Sequence, residues 1–210
     1  MKDRNNVLIL ILAILYTVGV LGLLNSSTRP YFIMLTPYNL LITMIFYVWA
    51  NRDFRFHFFL LSFIVMVCGW TIEWAGVHTG VLFGKYEYGH TLGYKIQRIP
   101  LIIGVNWFLL CFSSRAIFKK VFKNVWLVTV SSSLLMCGLD FLIEPIAVKF
   151  DFWNWDKNII PVQNYFMWFI SSFMLNMIIQ KSDLKLNFKS GIIIFSTQTM
   201  FFGVLNYFLK

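Results

Sequence analysis

Three of the nine acidic residues in this 210-residue chain, Glu73, Asp140 and Glu144, stand inside long apolar runs. The other six, Asp3, Asp53, Glu87, Asp151, Asp156 and Asp183, stand in the stretches between runs. A carboxylate at membrane depth is costly and marks a functional site, unless it is solvated at the interface or paired with a cation such as Arg98 or Lys149. Asp140 and Glu144 are four residues apart, which makes them neighbours on one helix face. Two like charges held close in a poorly polarisable medium do not both ionise comfortably. The pair can therefore hold a proton, as a general acid must. Pro145 follows at once and, lacking an N–H, frees a backbone carbonyl one turn earlier as an extra acceptor.

Around Glu73 the chain reads G-W-T-I-E-W-A-G-V-H-T-G, with Trp70 and Trp74 flanking the acid and His78 just beyond. Aromatic faces attract cations, so a ring-lined pocket suits the carbocation formed when an alkene takes up a proton. An interfacial tryptophan pair beside a snorkelling acid accounts for the same letters. His78 and His90 taken alone read as hydrogen-bonded structural groups, and no His, Cys or acid spacing suits a metal. Cys68, Cys111 and Cys137 all lie in apolar runs and read as small buried hydrophobes. Nucleophile motifs, phosphate loops and dinucleotide fingerprints are absent, so no cofactor is expected. What remains is acid chemistry on an apolar substrate.

The elements that must position these groups follow from composition. Hydrophobic residues make up 59% of the chain and charged ones 13%, with a mean hydropathy of +0.70. That is too apolar for a water-facing surface, and a lipid-facing one is implied. The fold class expected is an all-α polytopic membrane bundle, one transmembrane domain over 1–210, with about seven spans near 7–24, 31–50, 56–76, 99–118, 125–148, 162–180 and 190–209. Lys2, Asp3 and Arg4 before the first run resemble a signal peptide, but the run is long enough to span and lacks a cleavage site. Pro37 is expected to kink the second span, while Pro100 and Pro161 suit first helical turns. Gly76, Gly80 and Gly84 recur every fourth residue and fit either close helix packing or turns and a re-entrant segment.

The net charge of +9 is scattered over short loops rather than gathered in one segment, which excludes a nucleic-acid surface. With the N-terminus inside, eleven of the eighteen Lys and Arg residues fall on the inner side, so the C-terminus is expected outside. The two longest connections, 77–98 and 149–161, then lie outside. They are rich in Gly, Tyr, Trp and His, including Tyr86 and Tyr88, and the three carboxylates sit toward that end.

Several blocks together resemble a known family, the carotenoid biosynthesis membrane proteins of the CruF-type carotenoid hydratases. They are Glu73 to Gly89 (E-W-A-G-V-H-T-G-V-L-F-G-K-Y-E-Y-G), Leu92 to Pro100 followed by Asn106 and Trp107, D-F-L-I-E-P from Asp140 to Pro145, and Trp153 to Trp168 (W-N-W then P-V-Q-N-Y-F-M-W). The resemblance covers roughly the middle half of the chain, and Gln97 and Arg98 depart from the family's pattern. It implies cofactor-free hydration of the terminal double bond of a linear carotenoid in the cytoplasmic membrane of a prokaryote. Membrane lipid, water and other pathway membrane enzymes are the implied company. Glu73, Asp140 and Glu144 would be catalytic. Trp70, Trp74, His78, Tyr86, Tyr88, Arg98, Asn106, Trp107, Trp153, Trp155, Asn164 and Trp168 would bind substrate, and His78, Arg98 or Asn164 would hydrogen-bond the acid. A carotene cyclase, and a proton-coupled transporter or lipid-binding protein with Asp140 and Glu144 as relay, are the competing readings.

Overall fold

In the computed structural model, which describes residues 2–180 and 182–209, the apolar runs form helices that cross back and forth in one bundle. Lys181 and Lys210, counted among the loop charges, lie outside the described residues. The helices are α1 (Lys2–Leu24), α2 (Arg29–Met34), α3 (Thr36–Asn51), α4 (Phe56–Thr79), α5 (Ile102–Val121), α6 (Val125–Lys149), α7 (Val162–Gln180) and α8 (Phe188–Phe208). The all-α membrane bundle is therefore present, with eight helices among the described residues where about seven were expected.

The difference arises at Pro37. Instead of kinking one long helix, it occupies the first turn of α3, and the expected second span breaks at Leu35 into α2 and α3. At sixteen residues α3 is about 24 Å long, short of the roughly 30 Å hydrocarbon thickness. Helices α1, α4, α5, α6 and α8 each contain a stretch long and apolar enough to cross a membrane. Helix α7 has nineteen residues but carries Gln163, Asn164, Asn176 and Gln180. Asp3, expected between runs, falls inside α1, which starts at Lys2. Pro145 leaves α6 unbroken.

Helix α5 is the axis of the bundle. Its spanning stretch is 78% buried, against 28–44% for the other four, and it packs against α3, α4, α6, α7 and α8. Its approach to α4 depends on two glycines: a Cβ on Gly69 would lie 2.5 Å from Cγ of Trp107, and one on Gly104 would lie 2.8 Å from the Met66 carbonyl oxygen. That close crossing brings the Trp107 ring beside Gly69 and Glu73 of α4.

The two long connections are the only described segments with strands. Tyr86–Tyr88 (β1) pairs antiparallel with Trp153–Trp155 (β4), in the register Tyr86 to Trp155, Glu87 to Asn154 and Tyr88 to Trp153. Lys95–Ile96 (β2) and Ile99–Pro100 (β3) form a small hairpin. Pro100 thus closes the hairpin instead of opening α5, while Pro161 directly precedes α7. The glycine series is not a packing stripe. Gly80 ends α4 in the left-handed region at φ +64°, Gly84 turns at φ +106°, and Gly76 faces Phe83 and the Tyr86 hydroxyl. Segment 77–98 is therefore a helix end followed by turns and paired strands.

The opposite end of the bundle is held by side chains. Asp53 accepts two bonds from the Arg55 guanidinium, both at 2.7 Å, and one from the Lys185 backbone N–H at 3.1 Å. Asn187 caps α8 and donates to Asn5 and to the Ala50 carbonyl, both at 3.0 Å.

Candidate active site

Helix α4 presents Glu73 and helix α6 presents Asp140 and Glu144, one turn apart; all three are at least 96% buried. No cation pairs with them: the one ion pair among the described residues joins Arg55 to Asp53 at the other end. Neutral N–H and O–H donors surround them instead. The ribbon of β1 and β4 supplies most of these, because side chains alternate across a strand and both strands turn aromatic residues inward. Glu87 and Asn154 take the alternate positions.

The Tyr86 hydroxyl donates to Glu73 Oε2 at 2.6 Å and the Tyr88 hydroxyl at 2.8 Å, while Trp107 Nε1 donates to Oε1 at 3.1 Å. Glu144 Oε2 accepts from Trp153 Nε1 at 3.0 Å and Trp155 Nε1 at 2.8 Å. The Asn164 amide bridges the pair, donating to Glu144 Oε1 at 2.8 Å and Asp140 Oδ2 at 3.1 Å. Asp140 Oδ1 is buried without a partner. An ionised carboxylate only accepts and a tyrosine or tryptophan readily donates, so Glu73 and Glu144 each sit in a cradle matched to an acceptor. Burial pushes the Tyr86 and Tyr88 hydroxyls well above the ordinary tyrosine range, so both remain donors at every physiological pH.

The ribbon is clipped down from outside. Asp151 accepts the His90 backbone N–H at 2.9 Å and the Asn154 amide at 2.7 Å, and the first of these holds its carboxyl below the usual range. Thr91 donates to the Asp151 carbonyl at 2.7 Å, and Lys95 to that of Tyr88 at 2.7 Å.

Between the acids lies a chamber of about 20 Å³, lined by Glu73, Glu144, Asn164 and the rings of Phe83, Tyr86, Tyr88, Trp107, Trp153, Trp155 and Trp168. Trp107 and Trp168 stack at 4.4 Å and 18°. Ile103, Asn106 and Trp153 line both this chamber and a far larger groove of about 310 Å³. The groove runs between α1, α2, α3, α5, α6 and α8 and is almost wholly apolar. A water-sized, ring-lined chamber edged by two carboxyl groups thus adjoins a space for a hydrocarbon chain.

Of the residues singled out from sequence, Glu73, Glu144, Tyr86, Tyr88, Asn106, Trp107, Trp153, Trp155, Asn164 and Trp168 line this chamber, and Asp140 stands directly behind Asn164. Four others do not reach it. Trp70 Nε1 donates to the Ile99 carbonyl at 3.4 Å and Trp74 Nε1 to the Gln97 side chain, so both rings brace the β2–β3 hairpin. His78 lies tilted against the Trp74 ring at 4.9 Å and bonds the Trp74 carbonyl at 2.9 Å. Arg98 is exposed in the hairpin turn at φ +72°. Of the three groups named as acid partners, Asn164 alone meets one. The groove residues Tyr16, Asn39 and Gln198 carried no signal in the sequence. Among the described residues no cluster of three His, Cys, Asp or Glu has the geometry to hold a metal ion.

The family model described as "Carotenoid biosynthesis protein" matches residues 34–208, five sixths of the chain. No curated protein and no solved structure matches it.

Proposed function

Because the chain belongs to the carotenoid biosynthesis protein family, we propose that it hydrates the terminal isoprenoid double bond of a linear carotenoid. The observation that carries this reading is the water-sized chamber between Glu73 and Glu144, divided from the apolar groove by the shared side chains of Ile103, Asn106 and Trp153. A polyene end lying in the groove would bring its last double bond to the chamber mouth. The chamber has room for a nucleophilic water, which supports hydration.

Glu144 is the member of the acid pair that faces the chamber, with Asp140 behind it. In the proposed reaction the proton held by the pair leaves through Glu144 to the less substituted alkene carbon, and the donors from Trp153, Trp155 and Asn164 stabilise the carboxylate left behind. The tertiary cation forms beside the stacked Trp107 and Trp168 rings, whose faces stabilise it. Glu73, with one Oε1 lone pair uncommitted, takes a proton from the water as its oxygen bonds to the cation. Proton return from Glu73 to the Asp140–Glu144 pair through solvent completes the cycle, so atoms and charge balance without oxidant, reductant or cofactor. The reading places the chain in a prokaryotic cytoplasmic membrane, N-terminus inside, among other membrane enzymes of the pathway.

Incubation of the purified protein with a linear carotene in oxygen-18 water tests this. A tertiary alcohol with one labelled oxygen per reacted end, formed without oxygen gas, is expected. An isomer of unchanged mass as sole product would sink the hydration reading and favour a cyclase.

A further inference from the structure

Apart from the chamber, the bundle buries a second set of polar groups, in the half away from the ribbon. Helices α6 and α7 run antiparallel, with Asn164 level with Asp140. Eight residues further along α7 stands Ser172, and eight residues back along α6 stands Ser132, each about 12 Å from that level. The two therefore lie at the same depth. One more turn brings Asn176 opposite Thr129. All four are completely buried. The hydroxyls of Ser132, Ser172 and Thr129 and the Asn176 amide oxygen have no hydrogen-bond partner, nor does the Gln180 amide oxygen a turn beyond.

A serine or threonine hydroxyl in a helix can turn onto the backbone carbonyl one turn back, as Ser133 does to that of Thr129 at 2.8 Å. An amide oxygen has no such recourse, because the N–H groups of a helix interior are already spent. Beside Asn176 lies Arg115 of α5, 95% buried, with a hydrogen bond to the Asn176 carbonyl at 3.3 Å and no ion pair among the described residues. Unpartnered hydroxyls beside unpartnered amide oxygens call for a species that both donates and accepts, and water is one. Between this group and the Asp140 Oδ1 that also lacks a partner stands Met136, its sulfur 3.7 Å from the Asn176 amide nitrogen.

We propose that the seam between α5, α6 and α7, from Arg115 and Asn176 past Thr129, Ser132 and Ser172 to Asp140, holds water and brings solvent to the acid pair from the end of the bundle opposite the ribbon. Its role in supply rests on the hydration reading; its being wet does not. The polyene would then enter from the apolar groove and water from the other side, so neither displaces the other.

Met136 is a built-in reporter. Radiolysis of water generates hydroxyl radicals in place, and they oxidise side chains that touch a water. In protein held in lipid nanodiscs, oxidation of buried Met136 above the level of lipid-facing Met200 is expected. Met136 no more oxidised than Met200 would overturn the seam. Ser132→Val with Ser172→Val fills the seam with methyl groups, and loss of both Met136 oxidation and alcohol formation is expected. Met136→Leu, which leaves the hydroxyls in place, keeps the alcohol and serves as the folding control. Loss of oxidation with alcohol formation intact would overturn the supply role. If the unmodified protein yields no alcohol at all, the hydration reading fails while Met136 still reports on the seam.

Discussion

Each carboxylate has different neighbours, so the three should respond differently to the loss of charge. In the proposed reaction Glu144→Gln would remove the proton donor that faces the chamber, and Glu73→Gln the group that takes the proton from water; either change is expected to abolish the alcohol. Asp140→Asn leaves Glu144 in place but takes away the partner with which it shares a proton, and a large loss short of abolition is expected. Product analysis of the three variants in membranes checks this, and equal, near-normal turnover would show the acids to be structural. The hydroxyls of Tyr86 and Tyr88 act in parallel on one oxygen. Tyr86→Phe alone should therefore cost roughly one charge-assisted hydrogen bond, about 1.5–3 kcal/mol of stability. A Tyr86→Phe variant with the thermal stability of the unmodified protein would show that this hydroxyl contributes nothing to holding the acid.

At the scale of elements, the ribbon of β1 and β4 does what the helices cannot: it closes the end of the bundle and delivers four donors to two acids. Its fit against α4 depends on Gly76, where an added Cβ would lie 2.6 Å from a Phe83 ring carbon and 3.0 Å from the Tyr86 hydroxyl. Gly76→Ala is expected to cost about 1–3 kcal/mol of stability through overpacking and to lower turnover by pushing Tyr86 from Glu73. Thermal unfolding in detergent and product yield measure the two effects. The opposite end depends on Asp53, whose carboxyl is held down to about 2, chiefly by its bond from Arg55. A folded-state value below the unfolded one means that the stabilisation is complete above the ordinary aspartate range and is lost as pH falls toward 2. The unmodified protein should therefore lose more thermal stability between pH 5 and pH 2 than Asp53→Asn does, and parallel curves would show that the clasp carries no weight.

For the whole molecule, the order of crossings puts the two chain ends on opposite sides. Arg4, Asn5, Asp53 and Asn187 share one end, while the Leu209 carbonyl accepts from Lys149 near the ribbon. With the N-terminus inside, as proposed from the basic bias, the ribbon and acids would face outside. A reporter fused after Lys210 should be active only outside the inner compartment, and cytoplasmic activity would reverse the orientation.

Sequence alone determined the membrane bundle, because lipid demands long apolar helices whatever the arrangement of neighbours. It also marked the three acids, because a carboxyl in an apolar run is legible from its surroundings in the chain. The i, i+4 spacing of Asp140 and Glu144 is a local property of one helix and needed no structure. What joins α4 to α6 is not local. Y-E-Y and W-N-W carry the alternation of strands with one face turned inward, but each is only three residues long and they are 64 residues apart, so which strand they pair with was decided by the packing of the helices beneath. The same holds for Trp70, Trp74 and His78. They flank Glu73 in sequence, yet a helix turns about 100° per residue, and only the close approach of α5 at Gly69 decided that Trp107 would meet the acid while those rings turned to the hairpin.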